Sequence, residues 1–92
     1  GLATSLSNTI ILADGDGVIR YYCNSDGSTG IGTTTPNASA KLEVSSTTQG
    51  VLLPRMTTTQ KNAISSPVEG LEVYDLTLHQ KSYYNGTTWI NY

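Results

Sequence analysis

Apolar and polar residues alternate along this chain in short stretches, and Gly, Pro, Asn and Asp interrupt them at close intervals. A period of two marks a strand with one face turned inward. Thr9–Ala13 and Val18–Cys23 are the first such stretches, joined by Asp14-Gly15-Asp16-Gly17. Asp-Gly is a strong hairpin signal, and this linker carries it twice. Asn24–Gly32 reads as a Gly-rich loop or tight chain crossing, because glycine lets backbones crowd together. Thr33–Ser39 reads as a linker, with Pro36 holding Thr35 extended. Lys41-Leu42-Glu43-Val44 alternates again and predicts a strand with Leu42 and Val44 inward.

In the last third, Pro54 interrupts Val51–Met56, so that segment is expected at a sheet edge and not in its centre. Thr57–Ile64 predicts a short helix: Thr57 is the N-cap, Gln60 completes a capping box, and Pro67 ends the phrase. Leu71–Tyr74 then pairs, through the Leu76–Gln80 turn, with the first strand of a hairpin built on Asn85-Gly86. A two-residue type I′ turn sets Tyr84 opposite Thr87, Tyr83 opposite Thr88, Ser82 opposite Trp89 and Lys81 opposite Ile90. Tyr83, Lys81, Thr88 and Ile90 then share one face, and Tyr84, Ser82 and Trp89 the other.

The fold class is therefore mainly β, made of short strands and hairpins with one short helix. The expected division is residues 1–36, an N-terminal hairpin and shaft-like segment with its Gly-rich linker, and residues 37–92, a strand, helix and three-stranded meander with a head-like or tip-like character. Composition changes this picture. The chain has no Phe, one Trp and one Met, and is rich in Ser and Thr. A chain of this size buries only about 60% of its unfolded surface. It either stays flexible or borrows a core from copies of itself.

Five phrases follow one another in a fixed order: Gly30–Pro36, Ala40–Val44, Gly50–Thr57, Gly70–Asp75 and Tyr83–Trp89. Together they resemble a module common in phage tail-fibre and spike-like proteins, with relatives in surface proteins of Bacteroidetes-type bacteria. The resemblance runs from Gly30 to Tyr92. It implies an intertwined homotrimeric fibre or spike domain that projects from a particle and presents or forms a host-receptor-binding tip. The implied partners are two further copies, a host-surface glycan or protein receptor, and other virion proteins. The implied location is the virion surface. The alternative is a glycan-binding adhesin or anchoring module on a bacterial cell surface.

Charge and chemistry narrow the field further. Five basic and seven acidic residues give a net charge of −2, and the basic ones stand singly. No cluster is present that would displace counterions from phosphates, so nucleic acid is not an expected partner. No apolar run approaches the roughly 18 residues that would span a bilayer. Leu2–Ala13 lacks the basic flank and apolar run of a secretory leader, and a chain opening on Gly reads as a fragment or processed form. Cys23, the single cysteine, excludes an internal disulfide framework and reads as a small buried apolar residue, against an inter-chain disulfide or a reactive thiol. Asp14 and Asp16 resemble the start of a calcium loop, but position twelve of that loop is Ser25 and not Glu. His79 has no nucleophile and base arranged around it and reads as a solvated loop residue, unless three copies meet on an axis. Glu43, Glu69, Glu72 and Asp75 show no glycosidase-like pairing. Asn37-Ala38-Ser39 and Asn85-Gly86-Thr87 match the N-glycosylation pattern, and Asn85 is better explained by its turn. No enzyme, metal or cofactor is expected.

Tyr74, Tyr83, Tyr84, Trp89 and Tyr92 remain as receptor-contact candidates. Tyr and Trp give large amphipathic contacts at low entropic cost. The competing role is cross-strand pairing and a trimer core, with Trp89 the member expected inside and Tyr83 the one expected exposed.

Overall fold

A computed structural model describes residues 8–92 and shows a mainly β chain with one short helix. Residues 1–7, into which the leader reading and the expected first segment extend, lie outside the described residues. The chain divides into two units at Gly50/Val51, and each holds its own four-stranded sheet.

In the first unit β1 (Ile10–Ala13), β2 (Ile19–Cys23), β3 (Thr29–Ile31) and β4 (Leu42–Val44) lie side by side in chain order. The β1–β2 hairpin is closed by Asp14, whose Oδ1 accepts the N–H groups of Asp16 and Val18. Its Oδ2 accepts Arg20 at 2.6 Å. The Val18 bond first, then Arg20, hold the Asp14 carboxyl below the usual range. Asn24 repeats the device one strand later, accepting the N–H groups of Asp26 and Ser28. This second turn frees residues 29–31 to pair with β2, so the expected loop contains a strand.

β4 runs parallel to β3, joined to it by a crossover of loop and turn. Two glycines make that crossover possible. A Cβ on Gly30 would lie 2.4 Å from the Thr33 carbonyl oxygen, and one on Gly32 2.2 Å from that of Ser45. Gly32 also has φ +82°, a conformation that L side chains rarely adopt. Both close approaches are made within one chain.

Register assigns the sheet's two faces. Ile10 and Leu12, Tyr21 and Cys23, Thr29 and Ile31, and Leu42 and Val44 all fall on the same one. The opposite face carries Ile11, Tyr22, Gly30 and Glu43, and the crossover lies against it. There Thr33 covers Gly30, and Glu43 Oε1 accepts the Asn37 N–H at 2.7 Å. Leu42 and Val44 are consequently exposed and not inward, because no element among the described residues of the unit covers their face.

The second unit contains β5 (Arg55–Met56), α1 (Thr58–Asn62), β6 (Glu72–Asp75), β7 (Gln80–Tyr84) and β8 (Trp89–Asn91). β5 is an edge strand parallel to β6, as Pro54 predicts, and β6–β7–β8 form the expected meander. The helix starts as read from the sequence: Thr57 accepts the Gln60 N–H while the Gln60 side chain accepts that of Thr57.

The last hairpin differs in register. Tyr84 faces Trp89, Tyr83 faces Ile90 and Ser82 faces Asn91. Asn85 Oδ1 accepts the N–H groups of both Thr87 and Thr88, and the Asn85 N–H reaches the Thr88 carbonyl. That closes a four-residue loop in which only Gly86 has positive φ, so a type I′ turn is excluded. The shift is two residues. The strand residues therefore keep their expected faces, and Thr88 leaves the ladder.

Candidate functional site

The helix lies over the face that carries Val73, Asp75, Ser82, Trp89 and Asn91. Thr58 and Lys61, one turn apart, reach down to it. Lys61 is 2% exposed, and Asp75 and Ser82 are fully buried. The Lys61 ammonium lies 2.8 Å from Asp75 Oδ2, 3.2 Å from Ser82 Oγ and 3.0 Å from Asn91 Oδ1. Its three protons have three acceptors. Trp89 adds its ring, with the ammonium 5.6 Å from the centroid.

Asp75 also accepts the Thr58 hydroxyl and the N–H groups of Thr77 and Leu78, tying the helix and the β6–β7 turn to one carboxylate. Burial pushes its carboxyl up. Lys61, the Leu78 N–H and the Thr58 hydroxyl outweigh that and hold it well below the usual carboxylate range. The node clamps the helix to β6, β7 and β8.

The five aromatic candidates divide between the two faces of this sheet. Tyr84 and Trp89 lie on the helix side, ring edge to ring face at 5.3 Å, both half-buried. Tyr74, Tyr83 and Tyr92 lie on the other side with Arg55, Glu72, Lys81 and Ile90. Here Tyr83 and Tyr92 meet edge to face at 5.5 Å, and Lys81 stands 4.8 Å over the Tyr92 ring. The Tyr92 hydroxyl donates to the Glu72 carboxylate. That bond, then burial, raises the Tyr92 phenol above its ordinary value. Tyr83 and Tyr92 are exposed and Tyr74 is half-buried.

The first unit offers a different surface, the apolar sheet face described above. A shallow groove at its end is lined by Ile19, Arg20, Ile31, Val44, Ser45 and Gln49, and it gathers no convergent set of charged groups. Cys23 is half-buried with a free thiol, and His79 is exposed in a positive-φ turn position. Among the described residues no group of three potential ligands is placed to hold a metal ion, and no helix is long and apolar enough to cross a membrane.

Lys61 escaped the sequence reading because a lysine in a short polar helix reads as solvated. Two signals pointed to it. Asp75 shares the inward phase of Val73, and Ser82 shares that of Tyr84 and Trp89. Polar groups at inward positions need a partner.

A family model described as a phage tail like trimerisation region matches residues 30–92. It begins inside β3 and takes in β4 and the whole second unit, leaving the β1–β2 hairpin outside. No curated protein and no solved structure matches the chain.

Proposed function

Because the chain belongs to the phage tail-like trimerisation region family, a structural module of phage tails, we propose that it forms a homotrimer that projects from the virion surface and presents a receptor-contacting face. The observation that carries this reading is the poverty of the chain's own core. Among the described residues Ile11 and Val73 are the only buried hydrophobic ones, while 14 large hydrophobic residues are exposed. A folded chain with that balance needs a cover, and symmetry copies are the cover its family supplies. The module's work is mechanical and adhesive, between other virion proteins and the host.

Tyr74, Tyr83 and Tyr92 are the proposed receptor-contact residues, with Tyr84 and Trp89 supporting them from the other side of the sheet. Arg55, Glu72 and Lys81 supply the polar groups that a glycan or a protein epitope requires. Threefold display adds avidity to weak single contacts.

Light scattering after size exclusion, over a wide dilution range, tests the assembly. The expected mass is three times the 9.8 kDa chain, and a persistent single-chain mass overturns it. For the contact face, Tyr83→Ala and Tyr92→Ala are expected to weaken binding to host cells without changing that mass. Undiminished binding by both variants removes the aromatic face from the proposal.

A further inference from the structure

We infer that the β1–β2 hairpin, which lies outside the family match, joins the trimer interface: the apolar face of the whole first sheet seats against the same face of two other copies. The inference deepens the homotrimer reading and rests on it.

Three observations lead to it. Ile10, Leu12, Tyr21, Ile31, Leu42 and Val44 share one face, and each is exposed. All eight register positions on that face are uncharged, whereas Glu43 is on the other. That other face is already occupied, since the crossover covers Gly30 and binds Glu43. Among the described residues the sheet therefore has one side closed by its own chain and one side bare.

The occupant follows from continuity and charge. The matched trimerisation region includes Gly30, Ile31 and β4, so the β3–β4 half of the bare face belongs to it. β2 is hydrogen-bonded to β3, and β1 to β2, which carries the same apolar surface across the hairpin without a step. An interface that took up β3 and β4 would leave Leu12 and Ile10 at its rim unless the hairpin joined it. A face with no charge has nothing to repel its own symmetry copies. Three such faces turned toward one axis close together, and cyclic symmetry then leaves no copy uncovered.

The test uses the full chain. Leu12→Asp, on the hairpin, and Leu42→Asp, inside the matched region, each put a carboxylate on the face three times over. Both are expected to raise the dissociation constant of the trimer by about a hundredfold or more. Tyr83→Asp, on the other unit, is expected to leave the mass threefold. Circular dichroism reports whether each variant is folded. Cys23 gives a readout that needs no folded variant, because it lies on the same face. Its labelling by a bulky maleimide in the parent trimer is expected to be at least about tenfold slower than in urea-unfolded chain at the same pH.

A threefold mass retained by folded Leu12→Asp overturns the hairpin's role while the trimer stands. Cys23 labelled as fast in the trimer as in the unfolded chain does the same. A single-chain mass for the parent brings down the trimer reading itself, and this inference with it.

Discussion

The two units contain sheets of equal strand number and opposite condition. In the second unit the helix closes one face with a buried ion pair, and the other face is aromatic and edged with charge. In the first unit a loop closes one face, and the other is apolar and uncharged. The second unit has a polar centre satisfied from within: Lys61 finds every acceptor it needs inside its own chain. The first is specified only when something covers Leu12, Leu42 and their neighbours. A short chain can place its specificity in one half and its dependence on assembly in the other. Two native probes separate the halves, since the single tryptophan, Trp89, lies in the second unit and the single cysteine, Cys23, in the first.

The largest expected effect is in the second unit. Lys61→Met removes one partner of the buried pair and leaves the buried Asp75 carboxylate without its counter-charge. A loss of roughly 3–5 kcal/mol is expected, read as a lower Trp89 melting transition. Replacing both partners, in Lys61→Met with Asp75→Leu, should recover only part of it, because Thr77 and Leu78 lose the carboxylate that holds their turn. Full recovery would mean that the pair matters only as a pair.

The same carboxylate sets a pH dependence. Its folded pKa is depressed, so its stabilisation is complete above the ordinary value of about 3.9 and is lost as pH falls below that toward the folded value. The Trp89 transition should be flat from about pH 7 to 5 and fall below about pH 4. Asp75→Asn should start lower at neutral pH and lose that acid slope. An unchanged slope would assign acid sensitivity to another group.

Gly32→Ala shifts the comparison to the first unit. The new Cβ meets the Ser45 carbonyl oxygen at 2.2 Å, in a backbone conformation that alanine disfavours. The expected cost is about 2 kcal/mol or more, seen as faster Cys23 labelling with the Trp89 transition unmoved. Gly15→Ala is the control. Nothing lies within 4 Å of its Cβ and its φ is not positive, so the change should stay within about 0.5 kcal/mol. If Gly32→Ala lowers the Trp89 transition as well, the two units unfold together.

Local chemistry explains what the sequence disclosed and what it hid. The capping box at Thr57 and Gln60, the Asp14 hairpin and the edge position after Pro54 depend on residues within a few positions of one another. All were legible. The Asn85 loop was misread in register because an Asn side chain can either sit in a type I′ turn or accept two N–H groups itself, and the sequence does not rank the two. The parallel β3–β4 pairing was missed because the strands are three residues each and the crossover has no helix to announce it. Leu42 and Val44 show the deepest limit. Alternation reveals that a face wants burial, but not whether the cover comes from the same chain. Of the five aromatic candidates, strand phase divided Tyr83 from Tyr84 and Trp89 correctly. The clamp beneath the helix required partners 14 to 30 positions from Lys61, beyond the reach of a local pattern.

A smaller effect is expected at the helix start. Thr57→Ala removes the acceptor for the Gln60 N–H and should cost about 1 kcal/mol in the Trp89 transition. The comparison sharpens here, because the same substitution should leave Cys23 labelling untouched. Gln60→Ala removes the reciprocal bond to the Thr57 N–H and should act on the same probe alone.

The smallest expected effect concerns the aromatic face. The Tyr92 phenol donates to Glu72 and is raised above the ordinary tyrosine value of about 10. Its folded form favours the protonated phenol, so the bond's contribution is present below that ordinary value and is lost as pH rises through the raised one. Glu72→Gln removes the carboxylate and should return Tyr92 toward the ordinary value. With six tyrosines in the chain, the difference between parent and variant in an ultraviolet tyrosinate titration isolates this one. Superimposable titrations would mean that the Tyr92–Glu72 bond does not persist in solution. The face carrying Tyr83 and Tyr92 would then be free to rearrange, and would meet a receptor by adapting to it instead of as a surface already set.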